Sequence, residues 1–341
     1  MRKYLHSTVV ELHSPKTVKF TKQQLKIDDL DALELAAETI YTAISPGTEL
    51  AAYRGDPPLR PGKIYPRFVG YCNIAEVIAK GNSVSHYEIG DKILTFQSHR
   101  SAFICDEESV ITKIPDGSNL ELAVTTYLFH LGYNSLLKGG LKPGHNIGVI
   151  GLGTLGLATV ALGNLFGANV YGFSNLPKNL KLADRFGAHR TYKKDHKDIT
   201  DILGCETKGI GLDITITTSN TWDDWLLALN LPRYGGTICV LGFPGRNQPP
   251  PNFNPLGSQF LYDKQLNIIS CGYTPRIDID PKDIRFTMSR NCEFLLNLIL
   301  QNKLPADQLI STVSNWKEIE DLYKIMDERN DHFLTGVLKW K

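Results

Sequence analysis

The stretch Ile147-Gly148-Val149-Ile150-Gly151-Leu152-Gly153-Thr154-Leu155-Gly156 decides how this chain folds. An apolar strand runs into a Gly-x-Gly-x-x-Gly turn, then into a segment with Leu155, Ala158, Leu162 and Leu165 at helical spacing. Glycines alone say little, but between a strand and a helix each has a physical use. Gly151 permits the tight turn, Gly153 removes a side chain where a pyrophosphate must approach, and Gly156 lets the helix pack closely on the strand. The helix N-terminus then presents N–H groups and a partial positive charge to the phosphates. Gly151, Gly153, Thr154, Leu155 and Gly156 are therefore the expected contacts of a nicotinamide dinucleotide.

Outward from this turn, apolar strands and amphipathic helices alternate. Asn169 to Ser174, Gly211 to Thr217, Thr237 to Gly242 and Leu266 to Gly272 read as strands. Thr154 to Phe166, Lys178 to Phe186 and Trp222 to Leu231 read as helices. Such alternation predicts a doubly wound parallel sheet. The strand after the glycine turn ends at Ser174, about 20 residues on, where a protein selecting NAD usually places a carboxylate for the adenosine ribose. This chain has Ser174-Asn175, with Lys178 shortly after. A hydroxyl and an ammonium accept a 2′-phosphate that a carboxylate would repel. The expected cofactor is NADP(H), with Ser174, Asn175, Lys178, Tyr192 and Gly242 among its further contacts. The plainer reading is that Ser174 only caps the next helix and Lys178 is solvated.

The first 120 residues have another texture. Val9 to Leu12, Val69 to Ala79, Lys92 to Phe96 and Val110 to Ile114 are short β-type runs, broken by turn signals such as Pro46-Gly47, Pro57-Pro58 and Gly90-Asp91. Helical patterns are scarce, which predicts a mostly β domain. Leu120 to Leu137 reads as one helix. The tail carries a helix near Ile284 to Gln301, a shorter one near Glu318 to Asp327 and a last strand near Thr335 to Trp340, and Asn247 to Pro255 is a loop.

Composition narrows the function. With 341 residues, 37 basic and 36 acidic side chains and a net charge of +1, the chain has no field that favours nucleic acid or an anionic membrane. No apolar run approaches bilayer length, and Met1 to His6 carry no leader-like stretch, so a soluble, cytoplasmic protein acting on a small molecule is expected. The six cysteines, at 72, 105, 205, 239, 271 and 292, form no C-x-x-C pair and are expected to be reduced and buried.

Further motifs gather around the glycine turn. Pro66-Arg-Phe-Val-Gly70, Glu76-Val77, Gly81-Asn-Ser-Val84, Gly90-Asp91, Lys142-Pro143-Gly144, Leu182 to Ala188 and Pro232-Arg-Tyr-Gly235-Gly236 carry a resemblance to the medium-chain dehydrogenase/reductase superfamily over nearly the whole length. The resemblance implies an α/β protein: a GroES-like, mostly β catalytic domain from residues 1–122 and 274–341, split by a Rossmann domain of residues 123–273 with a doubly wound parallel sheet. It also implies an active site in the cleft between the domains and a homodimer. The chain departs from the zinc-dependent members. Where these carry a cysteine ligand, it reads Ala43-Ile44-Ser45-Pro46-Gly47-Thr48-Glu49, and where they carry Gly-His-Glu it reads Gly70-Tyr71-Cys72. Only Cys105 stands where a structural-zinc lobe would bring four cysteines. Serine and tyrosine are poor zinc ligands beside cysteine and histidine, so no zinc is expected. The Ser-Pro-Gly-Thr-Glu segment followed by Gly-Tyr resembles a zinc-free branch, which includes quinone-oxidoreductase-like reductases and bacteriochlorophyllide dehydrogenases.

Without a metal, negative charge developing on an acceptor oxygen must be met by hydrogen-bond or proton donors. By resemblance, Thr48 stands at the proton-relay hydroxyl, Tyr53 at a site-lining tyrosine, Tyr71 at a lost zinc histidine, and His130 on the helix approaching the nicotinamide. Each has a plainer reading: a local turn bond for Thr48, space filling for the tyrosines, a satisfied helix histidine for His130. Glu49 is expected to pair with a cation such as Arg54. Asp56 to Arg60, Asn247 to Gln259 and Gly272 to Arg276 are expected to border the pocket. The expected function is zinc-independent, NADPH-dependent hydride transfer to a conjugated enone, quinone or ketone. The alternatives are an NAD(P)-dependent secondary alcohol or sugar dehydrogenase, and an NADPH-binding protein without turnover.

Overall fold

The chain folds as two units, Met1–Tyr127 with Pro275–Asn302 and Ala306–Lys341, and Leu128–Thr274 with Lys303–Pro305. The structure is a computed structural model and describes residues 3–59, 63–272, 274, 285–328 and 333–341. In chain order its main elements are β1 (Tyr4–Ser14), β2 (Thr17–Lys26), β3 (Glu34–Ala43), α1 (Pro46–Arg54), β4 (Arg67–Phe68), β5 (Cys72–Lys80), β6 (Lys92–Thr95), β7 (Ala102–Asp106), β8 (Val110–Ile114), α2 (Leu120–Ala123) and α3 (Thr126–Lys138). Then come β9 (Asn146–Ile150), α4 (Thr154–Leu165), β10 (Asn169–Phe173), α5 (Pro177–Arg185), β11 (Arg190–Tyr192), α6 (Ile199–Glu206), β12 (Leu212–Thr217), α7 (Trp222–Asn230), β13 (Pro232–Val240) and β14 (Asn267–Ser270). The tail contributes α8 (Met288–Leu300), α9 (Ala306–Leu309), β15 (Ile310–Asn315), α10 (Ile319–Asp327) and β16 (Thr335–Lys339).

The first unit is mostly β, as its turn-rich sequence predicts. One sheet has the order β2-β1-β4, and the other β15-β16-β3-β5-β6-β8 with β7 paired to β3. The hairpin of β1 and β2 is longer than the run Val9 to Leu12 suggested, because β2 is polar at most positions and half-exposed along its length. Its strand state comes from the antiparallel register on β1, not from an apolar pattern. The expected scarcity of helices needs a correction at Pro46-Gly47. This is no turn: Pro46 opens α1, where a missing N–H costs nothing and the fixed φ suits the helix. Gly55 ends it in the left-handed region at φ 82°. Helix α1 packs with α10 over a core that includes Val10, Leu12, Ile44, Tyr53, Tyr323 and Leu338.

The second unit holds one six-stranded sheet, order β11-β10-β9-β12-β13-β14, with every pair parallel. The chain runs outward one way from β9 through β10 and β11, then the other way from β12. This is the doubly wound order, and it puts a switch point between β9 and β12 at the carboxyl ends of the strands. Ile150, Tyr171, Phe173, Trp225, Ile238 and Phe260 share one core. The run Leu120 to Leu137 is two helices, not one. Thr125 and Thr126 break it by turning their hydroxyls back to the carbonyls of Leu122 and Ala123, both at 2.7 Å. The boundary between the units falls inside α3. Strand β13 starts at Pro232, ahead of the apolar run at Thr237, and its pairing with β12 shifts register near Leu212.

Five of the six cysteines are buried; Cys205 is exposed, contrary to expectation. It sits in the last turn of α6, whose buried face is Ile199 and Leu203. Among the described residues no helix is long and apolar enough to cross a membrane.

Asp327 ties α10 to α1. Its carboxylate accepts from Arg54 Nε and from Lys16 Nζ at 2.6 Å, and these two cations hold its pKa below the usual carboxylate value. A depressed carboxylate stabilises the fold above its unfolded pKa and loses that contribution as pH falls through the folded one. Asp327→Asn is expected to lower stability at neutral pH by about 1 kcal/mol. In urea titrations the gap between variant and wild type should begin to narrow below about pH 4 and go on closing as the pH falls further.

Candidate functional site

The glycine turn places backbone where a phosphate could rest. Gly151 has φ +90°, and its carbonyl accepts the Thr218 hydroxyl at 2.8 Å. Gly153 is the exposed N-cap of α4, and open space lies where its side chain would be. A Cβ at Gly156 would lie 1.9 Å from the Gly151 carbonyl oxygen, so only glycine lets α4 start this close to β9. Gly242 shows the same constraint across the switch point, where a Cβ would lie 2.4 Å from the Ser219 carbonyl oxygen. Thr154 is buried and Leu155 half-buried in the first turn of α4. An α-helix leaves its first N–H groups without intrahelical partners, and here they point from the carboxyl end of the parallel sheet. A dinucleotide fits this cradle.

The ends of β10 and β11 build the adjoining corner. Ser174 N–H donates to the Tyr192 carbonyl at 3.1 Å, and Leu176 N–H donates to Ser174 Oγ at 3.1 Å. The Ser174 oxygen is thus used in a local turn, while its proton stays available for an acceptor. Asn175 Oδ1 accepts the N–H of Lys194 at 3.1 Å, which brings the basic run Lys193-Lys194 beside Ser174 and Asn175, and Lys178 is half-buried in the first turn of α5. Lys194 Nζ itself pairs with Asp224 at 2.7 Å. Tyr192 turns its ring inward, stacked on Phe173 with centroids 5.9 Å apart. Its buried hydroxyl finds no hydrogen-bond partner among the described residues, and burial raises its pKa.

In the first unit, Tyr71, at one lost-ligand position implied by the resemblance, meets Ser45, which with Pro46 was a candidate for the other. Tyr71, at the start of the segment leading into β5, donates its hydroxyl proton to Ser45 Oγ at the N-cap of α1. Both are buried, Ser45 at 3% and Tyr71 at 8% exposure. Tyr127 meets Tyr71 edge-on at 5.6 Å and Phe96 at 4.7 Å, so aromatic rings wall the pair. Thr48 lies half-buried one turn along α1. Two neutral hydroxyls joined by a hydrogen bond are not a zinc donor set, which needs thiolate, imidazole or carboxylate. Among the described residues no three His, Cys, Asp or Glu side chains come together. Ser45 and Tyr71 by themselves do not fit zinc.

Other expected residues lie elsewhere. Tyr53 is buried to 2% in the core, its ring 5.3 Å from that of Tyr323. Glu49 does not pair with Arg54, which is taken by Asp327. The carboxylate instead turns inward to His99 at 2.9 Å and Tyr323 at 2.6 Å, because α1 points position 49 at the core and position 54 at its rim. His130 belongs to the second unit, 1% exposed on α3, and burial lowers its pKa to about 4. It is a neutral imidazole at neutral pH. Loop 247–259 is pinned to α7: Trp222 and Trp225 donate indole N–H groups to the carbonyls of Pro249 and Pro255. Of the other two expected border segments, Arg60, Tyr273, Pro275 and Arg276 lie outside the described residues. His99, Tyr127 and Tyr323 were not singled out from the sequence, since no spacing links positions so far apart in the chain.

Residues 154–285 match the zinc-binding dehydrogenase family model. The chain is 24% identical over 312 residues to the sorbitol dehydrogenase of Bacillus subtilis (strain 168), covering 82% of this chain and 85% of that one. It is similar in structure to the 2R,3R-butanediol dehydrogenase of Bacillus subtilis, with a TM-score of 0.79 at 15% identity over 98% of this chain and 99% of the other. A protein from Sinorhizobium meliloti 1021, described as a zinc-binding dehydrogenase and bound to NADP, gives a TM-score of 0.77 at 16% identity with coverage of 98% and 99%. These likenesses establish a dehydrogenase-type fold with a β-rich unit and a Rossmann-like parallel sheet.

Two outcomes follow from this geometry. Gly156→Ala must push α4 off β9 and is expected to cost about 2 kcal/mol of stability, read by thermal or urea unfolding. The His130 ring resonances are expected to stay flat in an NMR titration from about pH 8 to pH 5, the range in which a solvated histidine protonates.

Proposed function

We propose that the protein is a zinc-independent oxidoreductase that moves hydride between NADP(H) and a ketone or its secondary alcohol. The dehydrogenase matches make it an oxidoreductase using a nicotinamide cofactor. The matched relatives named for sorbitol and butanediol favour the carbonyl–alcohol couple over an enone or quinone. One observation carries the metal-free reading: the buried Tyr71–Ser45 hydroxyl pair, at positions where the resemblance places the ligands of zinc-dependent members.

In this reading Gly151, Gly153, Thr154, Leu155, Gly156 and Gly242 hold the dinucleotide. When bound, its reduced nicotinamide supplies hydride to the carbonyl carbon. The acceptor oxygen then gains charge and needs a donor. A tyrosine hydroxyl titrates near ~10, so at neutral pH Tyr71 keeps its proton. In this reading the Ser45 hydroxyl turns to donate to the Tyr71 oxygen, which releases the one Tyr71 proton from Ser45 Oγ for the acceptor oxygen. The reverse proton movement accompanies alcohol oxidation. Ser45 holds the Tyr71 hydroxyl in place, and Thr48 is a second hydroxyl on the same helix turn. The preference for NADP(H) over NAD(H) is supported by Ser174, Asn175 and Lys178, with Lys193 brought beside them. No carboxylate of β10 or of the turn after it stands there to repel a 2′-phosphate.

Purified protein is expected to oxidise NADPH faster than NADH with a panel of ketones and ketoses, and to keep its rate after prolonged treatment with a strong chelator. Tyr71→Phe is expected to lower kcat by about 100-fold and leave NADPH affinity unchanged. A rate abolished by chelation and restored by zinc would overturn the metal-free reading. Oxidation of NADPH with enones but no ketone would overturn the choice of substrate class.

A further inference from the structure

The first unit contains a buried carboxylate that the proposed reaction does not use directly. Glu49 is 1% exposed, and its partners His99 and Tyr323 are both 0% exposed. Leaving a carboxylate in a core is costly unless donors surround it. Here three do: Ser45 N–H at 2.7 Å on Oε1, and His99 Nε2 at 2.9 Å and Tyr323 O–H at 2.6 Å on Oε2. Burial and the Glu49 charge hold the Tyr323 phenol well above its ordinary pKa, so it stays a donor.

The proton directions follow from chemistry. Trp340 Nε1 can only donate, and it gives its hydrogen to Thr42 Oγ1 at 3.0 Å. The Glu49 carboxylate can only accept, so His99 Nε2 carries a proton toward it, and in the neutral ring Nδ1 then accepts from the Thr42 hydroxyl at 2.8 Å. The run from Trp340 through Thr42 and His99 to Glu49 is therefore satisfied with one consistent sense.

This network reaches both members of the hydroxyl pair. A serine at an N-cap ordinarily spends its oxygen on the N–H groups of its own helix. Ser45 makes no such bond. Glu49 fixes the Ser45 backbone instead, which frees Ser45 Oγ for Tyr71. On the other side, His99 N–H donates to the Val69 carbonyl at 2.8 Å. The His99 ring lies against Gly70 so closely that a Cβ there would be 2.6 Å away. Gly70 directly precedes Tyr71.

We propose that Glu49, His99 and Tyr323 are positioning residues that hold Ser45 and Tyr71 in donor geometry. This rests on the role of the hydroxyl pair given above. Only the backbone of Ser45 and the backbone leading to Tyr71 are touched, so none of the three needs to meet substrate.

The test uses the full-length protein and two readouts, turnover with NADPH and the ring-carbon NMR signal of Tyr71 in tyrosine-labelled protein, assigned with Tyr71→Phe. Tyr323→Phe, which removes one donor and little volume, and His99→Leu are each expected to shift the Tyr71 signal and lower kcat by about 10-fold, with NADPH affinity unchanged. His99→Gln, whose amide can replace the Nε2 donor, is expected to stay closer to wild type in both. Tyr323→Phe and His99→Gln guard against loss of folding in the leucine variant. An unmoved Tyr71 signal with wild-type kcat in Tyr323→Phe and His99→Leu overturns the proposal. So does a His99→Gln protein that behaves like His99→Leu. If wild-type protein turns over no carbonyl substrate, the proposed function fails, and the Tyr71 signal alone decides whether the network positions the pair.

Discussion

A carboxylate sealed in a core survives only with donors on both oxygens, and in the first unit Glu49 imposes that demand on its surroundings. Meeting it fixes the start of α1, the loop that carries His99, the inner face of α10 and, through Thr42 and Trp340, strand β3 and the C-terminal end of the chain. Few apolar contacts could specify so many elements at once. Dispersion is non-directional, whereas a hydrogen bond loses most of its strength when its angle is wrong. The arrangement costs desolvation and returns geometry, which is of use beside groups that must present a proton at a set place.

The second unit depends on a constraint of another kind. The cradle proposed for a dinucleotide is made by absence: no Cβ at Gly156 between α4 and β9, and none at Gly242 between the loops after β12 and β13. One unit thus offers backbone N–H groups at a helix start, suited to phosphate, and the other offers side-chain hydroxyls among aromatic rings. A zinc ion polarises an oxygen by charge; a tyrosine hydroxyl does it by donating a hydrogen bond, and it can also move the proton. The fold shared with zinc-binding dehydrogenases does not dictate which of these is used, because the ligand positions can change while the strands that carry them stay.

Much of the fold was legible in the sequence. The alternation after Asn146 and the glycine turn read correctly as a parallel doubly wound sheet, since buried strands and amphipathic helices leave strong periodic patterns. Elements that neighbours impose were not legible. Strand β2 is polar nearly throughout, and β11 has three residues. Helix α1 hid behind Pro46-Gly47, a dipeptide that serves a turn or a helix start equally well. Val124-Thr125 looked like helix interior until the threonine hydroxyls were seen bonded to their own chain.

The candidate site divides along the same line. The sequence by itself determined the strand, the glycine turn and the helix start proposed to hold the cofactor, because they lie within ten residues and local sterics dictate their geometry. Its resemblance to zinc-dependent proteins placed Tyr71, and either Ser45 or Pro46, where those carry ligands. Only the tertiary structure decided that Ser45 and Tyr71 bond to each other, that Tyr127 walls them, and that Glu49 faces His99 and Tyr323 rather than Arg54. These partners lie 26 to 274 positions apart. Nothing in local spacing encodes such contacts; they arise when sheet register and helix packing bring distant side chains to one point in the core.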